Sequence, residues 1–376
     1  MAYYYSISKF RRPQILIIHE KVVSLHLLMN QQIIGNHMEQ NNPYIKQFPE
    51  LFDGKTILYV HGFGSSGQSG TVTRIRQVLP NAKVIAPDLP IHPQEAIGLL
   101  HQTCDTEHPD LIIGTSMGGM YTEQLYGYDR ILINPAFTIA DTMQEHGLTG
   151  KQQFQNPRQD GVQEFYVDKP LVKEYRTVSE QRFAPDFVNT ADEQHRVYGL
   201  FGDRDELVNC AAMFPYMQAI SFHGEHRMND HSFMHAVVPV IRWIDDRQQG
   251  RERPIVYIGT EALWQHDGQP RPSAQKAVRQ LIETYQVYFV SFDTPAPTLV
   301  HLKEQLQQHI GVPAWGHTVV TNARHLLYGD YLIQAACPQR WPGKEPEPMA
   351  TPIELGSDTF KTWDDIMAYF SRLGGQ

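Results

Sequence analysis

The residues best suited to chemistry form a serine motif flanked by glycines. In Leu111-Ile-Ile-Gly-Thr-Ser-Met-Gly-Gly119, an apolar run enters G-x-S-x-G and continues into a predicted helix. In that context the motif is typical of a nucleophile elbow, whose sharp turn leaves Ser116 projecting above a sheet. Gly114 and Gly118 are then required, because neighbouring backbone comes too close for side chains. The simpler alternative is a turn in which Ser116 only caps the helix.

A serine nucleophile also requires donors for the negative charge that develops on the carbonyl oxygen. The sequence His61-Gly-Phe-Gly-Ser-Ser66 follows the first predicted strand, where such folds place one of these donors. We expect the backbone N–H groups of Phe63 and Met117 to form this oxyanion hole. His61 is predicted to be a turn residue rather than a catalyst.

The candidate acid follows the fifth predicted strand, in Gly202-Asp-Arg-Asp-Glu-Leu-Val208. A carboxylate here would orient the base and stabilise its protonated form. Asp205 has the better spacing, and Asp203 is expected to bind backbone N–H groups of the turn. The choice between the two aspartates stays open.

Four histidines, at positions 223, 226, 231 and 235, follow the last strand of this series. We predict His231 as the base, because it lies in Asn229-Asp-His-Ser-Phe233 just ahead of a closing helix. The resulting order Ser, Asp, His is that of α/β-hydrolase triads. The alternative is a zinc or iron site built from the first three histidines and Asp230. No recognised ligand spacing supports it, so no metal is predicted.

Short β-rich runs alternate with helical patterns around these residues, which predicts a mostly parallel sheet covered on both faces. Residues 136–193 break the alternation and are predicted to form a cap over the carboxyl edge of the sheet. A closing helix is predicted from about Ser232 to Asp246. The predicted strands are Thr56–Val60, Lys83–Ala86, Leu111–Gly114, Ile131–Ile133, Arg196–Phe201 and Gln218–Phe222.

A second α/β series follows a polar segment, residues 248–253, which is predicted to be a linker. In this series the strands Ile255–Ile258 and Val287–Ser291 flank an amphipathic helix. The sequence therefore predicts an α/β protein with two domains, residues 38–247 and 254–376.

The composition is that of a folded protein, and 376 residues suffice for two cores, with 41% hydrophobic and 19% charged residues. The net charge of -9 argues against a nucleic-acid partner. The three cysteines, Cys104, Cys210 and Cys337, suggest neither disulfides nor a cysteine-based zinc site, and they fit a reducing cytoplasm. No cofactor is predicted.

The N-terminal residues 1–37 are expected to be a non-native or disordered extension, with an authentic start at Met38. The apolar run Ile15–Ile18 is too short for a signal sequence or a membrane span. Membrane insertion is therefore not expected.

Residues 56–245 resemble the small YqiA-like esterases of the α/β-hydrolase superfamily. The resemblance rests on Leu58-Tyr-Val-His-Gly-Phe-Gly-Ser-Ser66, Ala86-Pro-Asp-Leu-Pro90, the elbow, Ile133-Asn-Pro135 and the segment around His231. It implies an α/β-hydrolase fold with a small cap, and hydrolysis of short acyl esters or acyl thioesters. It also implies a triad of Ser116, Asp205 and His231.

Residues 254–372 resemble the deoxyribonucleotidase-like group of the haloacid-dehalogenase superfamily, which implies a Rossmann-like domain. The segments that carry this are Ile255-Val-Tyr-Ile-Gly-Thr-Glu261, Tyr285-Gln-Val-Tyr-Phe-Val-Ser291 and Thr321-Asn-Ala-Arg-His-Leu-Leu-Tyr-Gly-Asp-Tyr-Leu-Ile333. Those enzymes need an Asp nucleophile where Gly259 stands and a second Asp where Glu261 stands. Their metal-binding acids are replaced by Gln334-Ala335, so we expect a catalytically inactive domain.

Three functions remain at this point: a serine hydrolase acting on a small acyl ester or thioester, a phosphatase acting through the second domain, and a binding or scaffold protein. The serine hydrolase is favoured, because strand context, candidate donors, acid and base all accompany the elbow.

Overall fold

The computed structural model describes residues 44–182, 190–265, 267–292, 296–311, 316–336 and 348–373. The expected extension, residues 1–37, and Cys337 lie outside the described residues. Residues Gln47–Gln376 form one compact unit that contains two parallel sheets. Within the described part of the chain, no helix has the length and apolar character needed to cross a bilayer.

The first sheet has six parallel strands in the order β2-β1-β3-β4-β7-β8. Its strands are β1 (Thr56–Val60), β2 (Lys83–Ile85), β3 (Leu111–Thr115), β4 (Arg130–Ile133), β7 (Val197–Gly202) and β8 (Gln218–Phe222). All six predicted strands are thereby confirmed to within one residue at each end. The central strands β3 and β4 are buried almost throughout, as expected for a parallel sheet covered on both faces.

Helices join these strands and cover the sheet. They are α1 (Gly70–Val78), α2 (Pro93–Glu107), α3 (Met117–Glu123), α4 (Ile139–Glu145), α5 (Lys169–Gln181), α6 (Ala191–Arg196), α7 (Asp230–Ser232) and α8 (Val238–Gln249). A π-helical turn, Phe233–Val237, connects α7 with α8. The predicted closing helix is therefore three joined pieces, which begin two residues earlier and end three residues later than expected.

The predicted cap is an insertion between β4 and β7. It contains α4, a two-stranded antiparallel hairpin and α5, and then α6 leads directly into β7. The hairpin strands are β5 (Gly150–Gln153) and β6 (Glu164–Val167). Hydrogen bonds between the hairpin loop and residues after β1 and β2 place the insertion over the carboxyl edge of the sheet.

The second sheet has five parallel strands in the order β11-β10-β9-β12-β13. They are β9 (Ile255–Gly259), β10 (Gln286–Ser291), β11 (Thr318–Val320), β12 (Tyr331–Ala335) and β13 (Thr351–Leu355). Its helices are α9 (Ala274–Thr284), α10 (Ala296–Gln305) and α11 (Trp363–Leu373), and a π-helical turn, Leu306–Ile310, extends α10. The apolar residues of this half form a separate core.

The connection between the two sheets is shorter than the predicted linker. Residues 248–249 belong to α8, which ends where Gly250 adopts a left-handed φ of 61°. Arg253 then binds Asp246 of α8 and donates to the carbonyl oxygen of Glu283 in α9. His317 adds a second link, because its ring stacks 4.5 Å from Trp243.

Candidate active site

The elbow forms at the turn between β3 and α3. Ser116 has φ 54° and ψ −120°, a left-handed conformation that is strained for a residue with a side chain. A Cβ on Gly118 would lie 2.6 Å from the carbonyl oxygen of His61, and one on Gly114 would lie 2.7 Å from the carbonyl carbon of Gly118. Both positions therefore require glycine, because backbone atoms cannot move aside as side chains can.

Three side chains form a continuous hydrogen-bonded chain at this turn. The Oγ of Ser116 lies 3.0 Å from Nε2 of His226, and Nδ1 of His226 lies 2.8 Å from Oδ2 of Asp205. The other oxygen of Asp205 accepts the backbone N–H groups of Leu207 and Val208, each at 2.9 Å. The Asp205 side chain is 2% exposed and that of His226 is 16% exposed. The arrangement is that of a nucleophile, a base and a fixed, buried acid.

His231 does not occupy the position predicted for the base. It lies in α7, whose first turn is capped by the side chain of Asn229, and its ring packs 4.4 Å from that of His235. Burial lowers the pKa of His231. The expected position of His231 is therefore corrected: the imidazole between Asp205 and Ser116 is that of His226, on the loop before α7.

The two candidate aspartates have different partners. Oδ2 of Asp203 lies 2.9 Å from Nδ1 of His223, and Oδ1 accepts the N–H of Gly224 at 3.0 Å. Asp205 is instead the carboxylate against the imidazole that reaches Ser116. Asp203 thus holds the adjoining turn.

The alternative metal ligands point to separate partners. His223 and His226 bind different aspartates, and Asp230 forms an ion pair with Arg74 at 2.5 Å. No group of three His, Cys, Asp or Glu side chains suitable for a metal occurs in the described ranges. The arrangement of these residues does not fit the zinc or iron alternative.

The predicted oxyanion donors lie beside the elbow. A Cβ on Gly62 would lie 3.2 Å from Cβ of Ser116, so this loop passes directly against the serine. Within the described residues, neither the N–H of Phe63 nor that of Met117 donates a hydrogen bond. Two unpaired N–H groups next to a serine are what a developing oxyanion needs.

His61 fixes the loop that carries Phe63. Its Nε2 accepts the backbone N–H of Leu89 at 3.0 Å, and its Nδ1 lies 2.9 Å from the carbonyl oxygen of Gly62. Burial lowers the pKa of His61, which favours the neutral ring that these two contacts require. The side chain therefore holds a turn.

The insertion braces both sides of the site. The backbone N–H of Gln155 donates to the carbonyl oxygen of Gly64 at 2.7 Å, and the Oγ of Ser66 donates to that of Pro157 at 2.6 Å. On the base side, Nη2 of Arg227 donates to Oε1 of Gln155 at 2.7 Å. One hairpin loop thus contacts the loop of residues 61–66, called here the oxyanion loop, and the residue after His226.

Comparisons with solved structures find an α/β-hydrolase and esterases at low identity. An esterase domain from a Rhodothermus marinus protein is 18% identical, with a TM-score of 0.34, and the match covers 52% of this chain and 88% of that one. An α/β-hydrolase from the metagenome of Mar Chica lagoon sediments is 11% identical, with a TM-score of 0.33, covering 53% and 92%. Polyneuridine aldehyde esterase is 12% identical, with a TM-score of 0.32, covering 52% and 100%.

A comparison with family models covers the first sheet and its insertion. The match runs from the start of β1 to Arg242 in α8, and it excludes the second sheet. Residues 56–242, which contain Ser116, Asp205 and His226, match the model of UPF0227, an uncharacterised protein family.

Proposed function

We propose that the protein is a serine hydrolase that cleaves carboxylic esters or acyl thioesters through an acyl-enzyme intermediate. The observation that carries the proposal is the hydrogen-bonded chain Ser116–His226–Asp205, built on a strained elbow. A serine that only capped α3 would not need this chain, and Ser116 makes no side-chain cap hydrogen bond to that helix.

In the proposed reaction, His226 takes the Ser116 proton as Oγ attacks the substrate carbonyl carbon. The resulting oxyanion accepts the N–H groups of Phe63 and Met117, and Asp205 stabilises the imidazolium. His226 then donates the proton to the leaving alcohol or thiol, which leaves the acyl group on Ser116. Water, deprotonated by His226, releases the acid and restores the serine.

The aromatic residues beside the oxyanion loop give this site an apolar side. The ring of Phe63 lies 5.3 Å from that of Phe165 and 6.2 Å from that of Tyr175, both in edge-to-face contact. Phe165 and Tyr175 are buried behind Phe63, whose half-buried ring presents the apolar surface that a short acyl chain on Ser116 would contact. This apolar surface supports a small acyl ester or thioester as the proposed substrate.

A fluorophosphonate probe tests the proposal, because it labels only an activated serine. We expect the wild-type protein to be labelled at Ser116 and to hydrolyse short acyl esters, and Ser116→Ala to lose both properties. Absence of labelling in a folded protein would favour the scaffold alternative.

We propose that residues 254–376 form a haloacid-dehalogenase-like domain without phosphatase activity. The strand order 3-2-1-4-5 supports this, with Gly259 at the end of the central strand β9. The Glu261 side chain folds back over Gly259, so that a Cβ there would lie 2.8 Å from its Cδ. Glycine cannot form an aspartyl-phosphate. Magnesium-dependent phosphate release that persists in Ser116→Ala would contradict this part of the proposal.

A further inference from the structure

Three histidines outside the proposed triad line a cavity between the two halves of the molecule. The first half contains the six-stranded sheet, and the second half contains the five-stranded sheet. The polar lining of the cavity comprises His223, His231, Ser232 and His235 from the first half, and Arg279, Gln307 and Gln308 from the second. The centre of a water molecule can move within about 20 Å³ of this cavity. That space admits a water or the oxygen atoms of a small anion, but not a whole organic ligand.

The second half contributes a cation without an acidic partner. Arg279 is half-buried and donates to the backbone carbonyl oxygens of His309, at 2.9 Å, and Ile310, at 3.4 Å. No carboxylate among the described residues pairs with it. A half-buried guanidinium that has only carbonyl partners carries a positive charge that no carboxylate balances, and it favours an anion nearby.

The first half contributes imidazoles that face this cation. The ring of His235 packs on that of His231 and forms no hydrogen bond with any described residue. Burial, Arg279 and His231 together lower the pKa of His235 to about 3. The pKa of His231 is lowered by burial, then by Arg279 and His223. The charged neighbours that lower these two pKa values, Arg279 and other histidines, act as positive charges, which opposes a metal cation and favours an anion.

Two of the three acidic groups on the elements around the cavity have other ion-pair partners. Asp230 pairs with Arg74, and Asp203 pairs with His223 on the cavity wall. Glu283 lies one turn after Arg279 on α9, where it lines a neighbouring cavity. None of these carboxylates neutralises Arg279.

We propose that this cavity binds a small oxyanion, whose oxygens accept hydrogen bonds from Arg279 and from the imidazole of His235. The shared chemistry is a compact group with two or more anionic oxygens, as in phosphate, sulfate or a carboxylate. Such an anion would contact the π-helical turn after α7 and also α9. Its binding would therefore fasten the segment that follows His226 to the second half of the molecule.

The test is calorimetric titration of the full chain with sodium sulfate, sodium phosphate and sodium acetate at matched ionic strength. We expect saturable binding of at least one oxyanion, weakened about tenfold or more in Arg279→Gln and retained in Arg279→Lys, because charge-assisted hydrogen bonds supply the affinity. The matched control is Arg76→Gln. Arg76 is exposed and donates to a backbone carbonyl oxygen, but it does not line the cavity. The rank order of the three anions distinguishes a tetrahedral oxyanion from a carboxylate.

A second readout depends on the histidines. Sulfate keeps its charge between pH 8 and pH 5.5, so a change in its affinity reports on the protein. Burial, Arg279 and His231 hold the pKa of His235 at about 3, so its ring is neutral across this range and donates one N–H to the anion. We therefore expect His235→Phe to bind sulfate more weakly than the wild type at both pH values, because the variant loses this donor. The proposal would be overturned if none of the anions bound saturably, or if Arg279→Gln and Arg76→Gln bound them equally.

Discussion

His226 and His231 belong to the same short loop and helix, but their surroundings differ in a way that decides their chemistry. His226 has a carboxylate on one ring nitrogen and a serine hydroxyl on the other. His231 has an imidazole against its ring and a guanidinium nearby. A base must have its proton donor within hydrogen-bond reach and its cationic form must be stabilised, and only the surroundings of His226 provide both.

We therefore expect His226→Ala to lower kcat for ester hydrolysis by at least about 10³-fold, because Ser116 would lose its base. His231→Ala is the matched control and should keep activity within a few-fold of wild type. Kinetics with a short acyl ester, with circular dichroism as a check on folding, would measure this. Loss of activity in His231→Ala with an active His226→Ala would instead make His231 the base.

The predicted ends of β7 and β8 contain a signal for His226, because strand register determines which residues of the two following loops meet. In the parallel pair β7–β8, Gly202 lies opposite Phe222. Residues at similar distances beyond the two strand ends therefore meet, which pairs Asp203 with His223 and Asp205 with His226. The order of residues along the chain cannot make this distinction, because any of the four histidines satisfies Ser, Asp, His.

At the scale of elements, the strands and the presence of an insertion were predictable, but the hairpin inside the insertion was not. Apolar, β-branched runs such as Thr56–Val60 mark buried parallel strands, and each predicted boundary lies within one residue of the observed one. The hairpin strand Gly150–Gln153 carries the polar sequence GKQQ and has no alternation to detect. Its position is determined by tertiary contacts with the oxyanion loop.

The elbow provides the element-scale prediction. Gly118→Ala should lower the free energy of unfolding by about 2–4 kcal/mol, since its Cβ would overlap the carbonyl oxygens of Val60 and His61. Gly98→Ala is the control. Gly98 is exposed in the middle of α2, and a Cβ there would have no other atom within 4 Å, so the same substitution should stabilise the protein by about 0.5–1 kcal/mol. Urea denaturation would measure both, and an equal effect at the two sites would contradict this account of the elbow.

At the scale of the whole molecule, charged groups are buried where the insertion meets the first sheet. Glu123 of α3 is fully buried, with its Oε2 3.5 Å from Nε of Arg182 just after α5. Its Oε1 accepts the hydroxyl of Tyr216, which precedes β8, at 2.9 Å. A second buried pair, Arg130 with Glu193, lies alongside. These contacts join elements that are far apart in sequence, and their desolvation makes the fold sensitive to protonation.

Burial raises the pKa of Glu123 to about 7, and it outweighs the opposing effect of Arg182. The folded protein therefore holds one proton more than the unfolded chain between the unperturbed value of about 4.5 and about 7. This contribution to the free energy of unfolding is fully present below that range and is lost as pH rises through about 7. In Glu123→Gln the side chain keeps its shape and does not titrate.

We accordingly expect the free energy of unfolding to fall between pH 5 and pH 8 by more in the wild-type protein than in Glu123→Gln, as measured by urea denaturation at both pH values. Glu164→Gln is the control, because Glu164 is exposed and its hydrogen bond to Lys151 lowers the pKa of its carboxyl group. That carboxylate stays ionised throughout this range, so its variant should follow the wild-type profile. If Glu123→Gln retained the full pH dependence of the wild type, another group would have to carry the proton, and Glu123 would be ionised in the folded protein at both pH values.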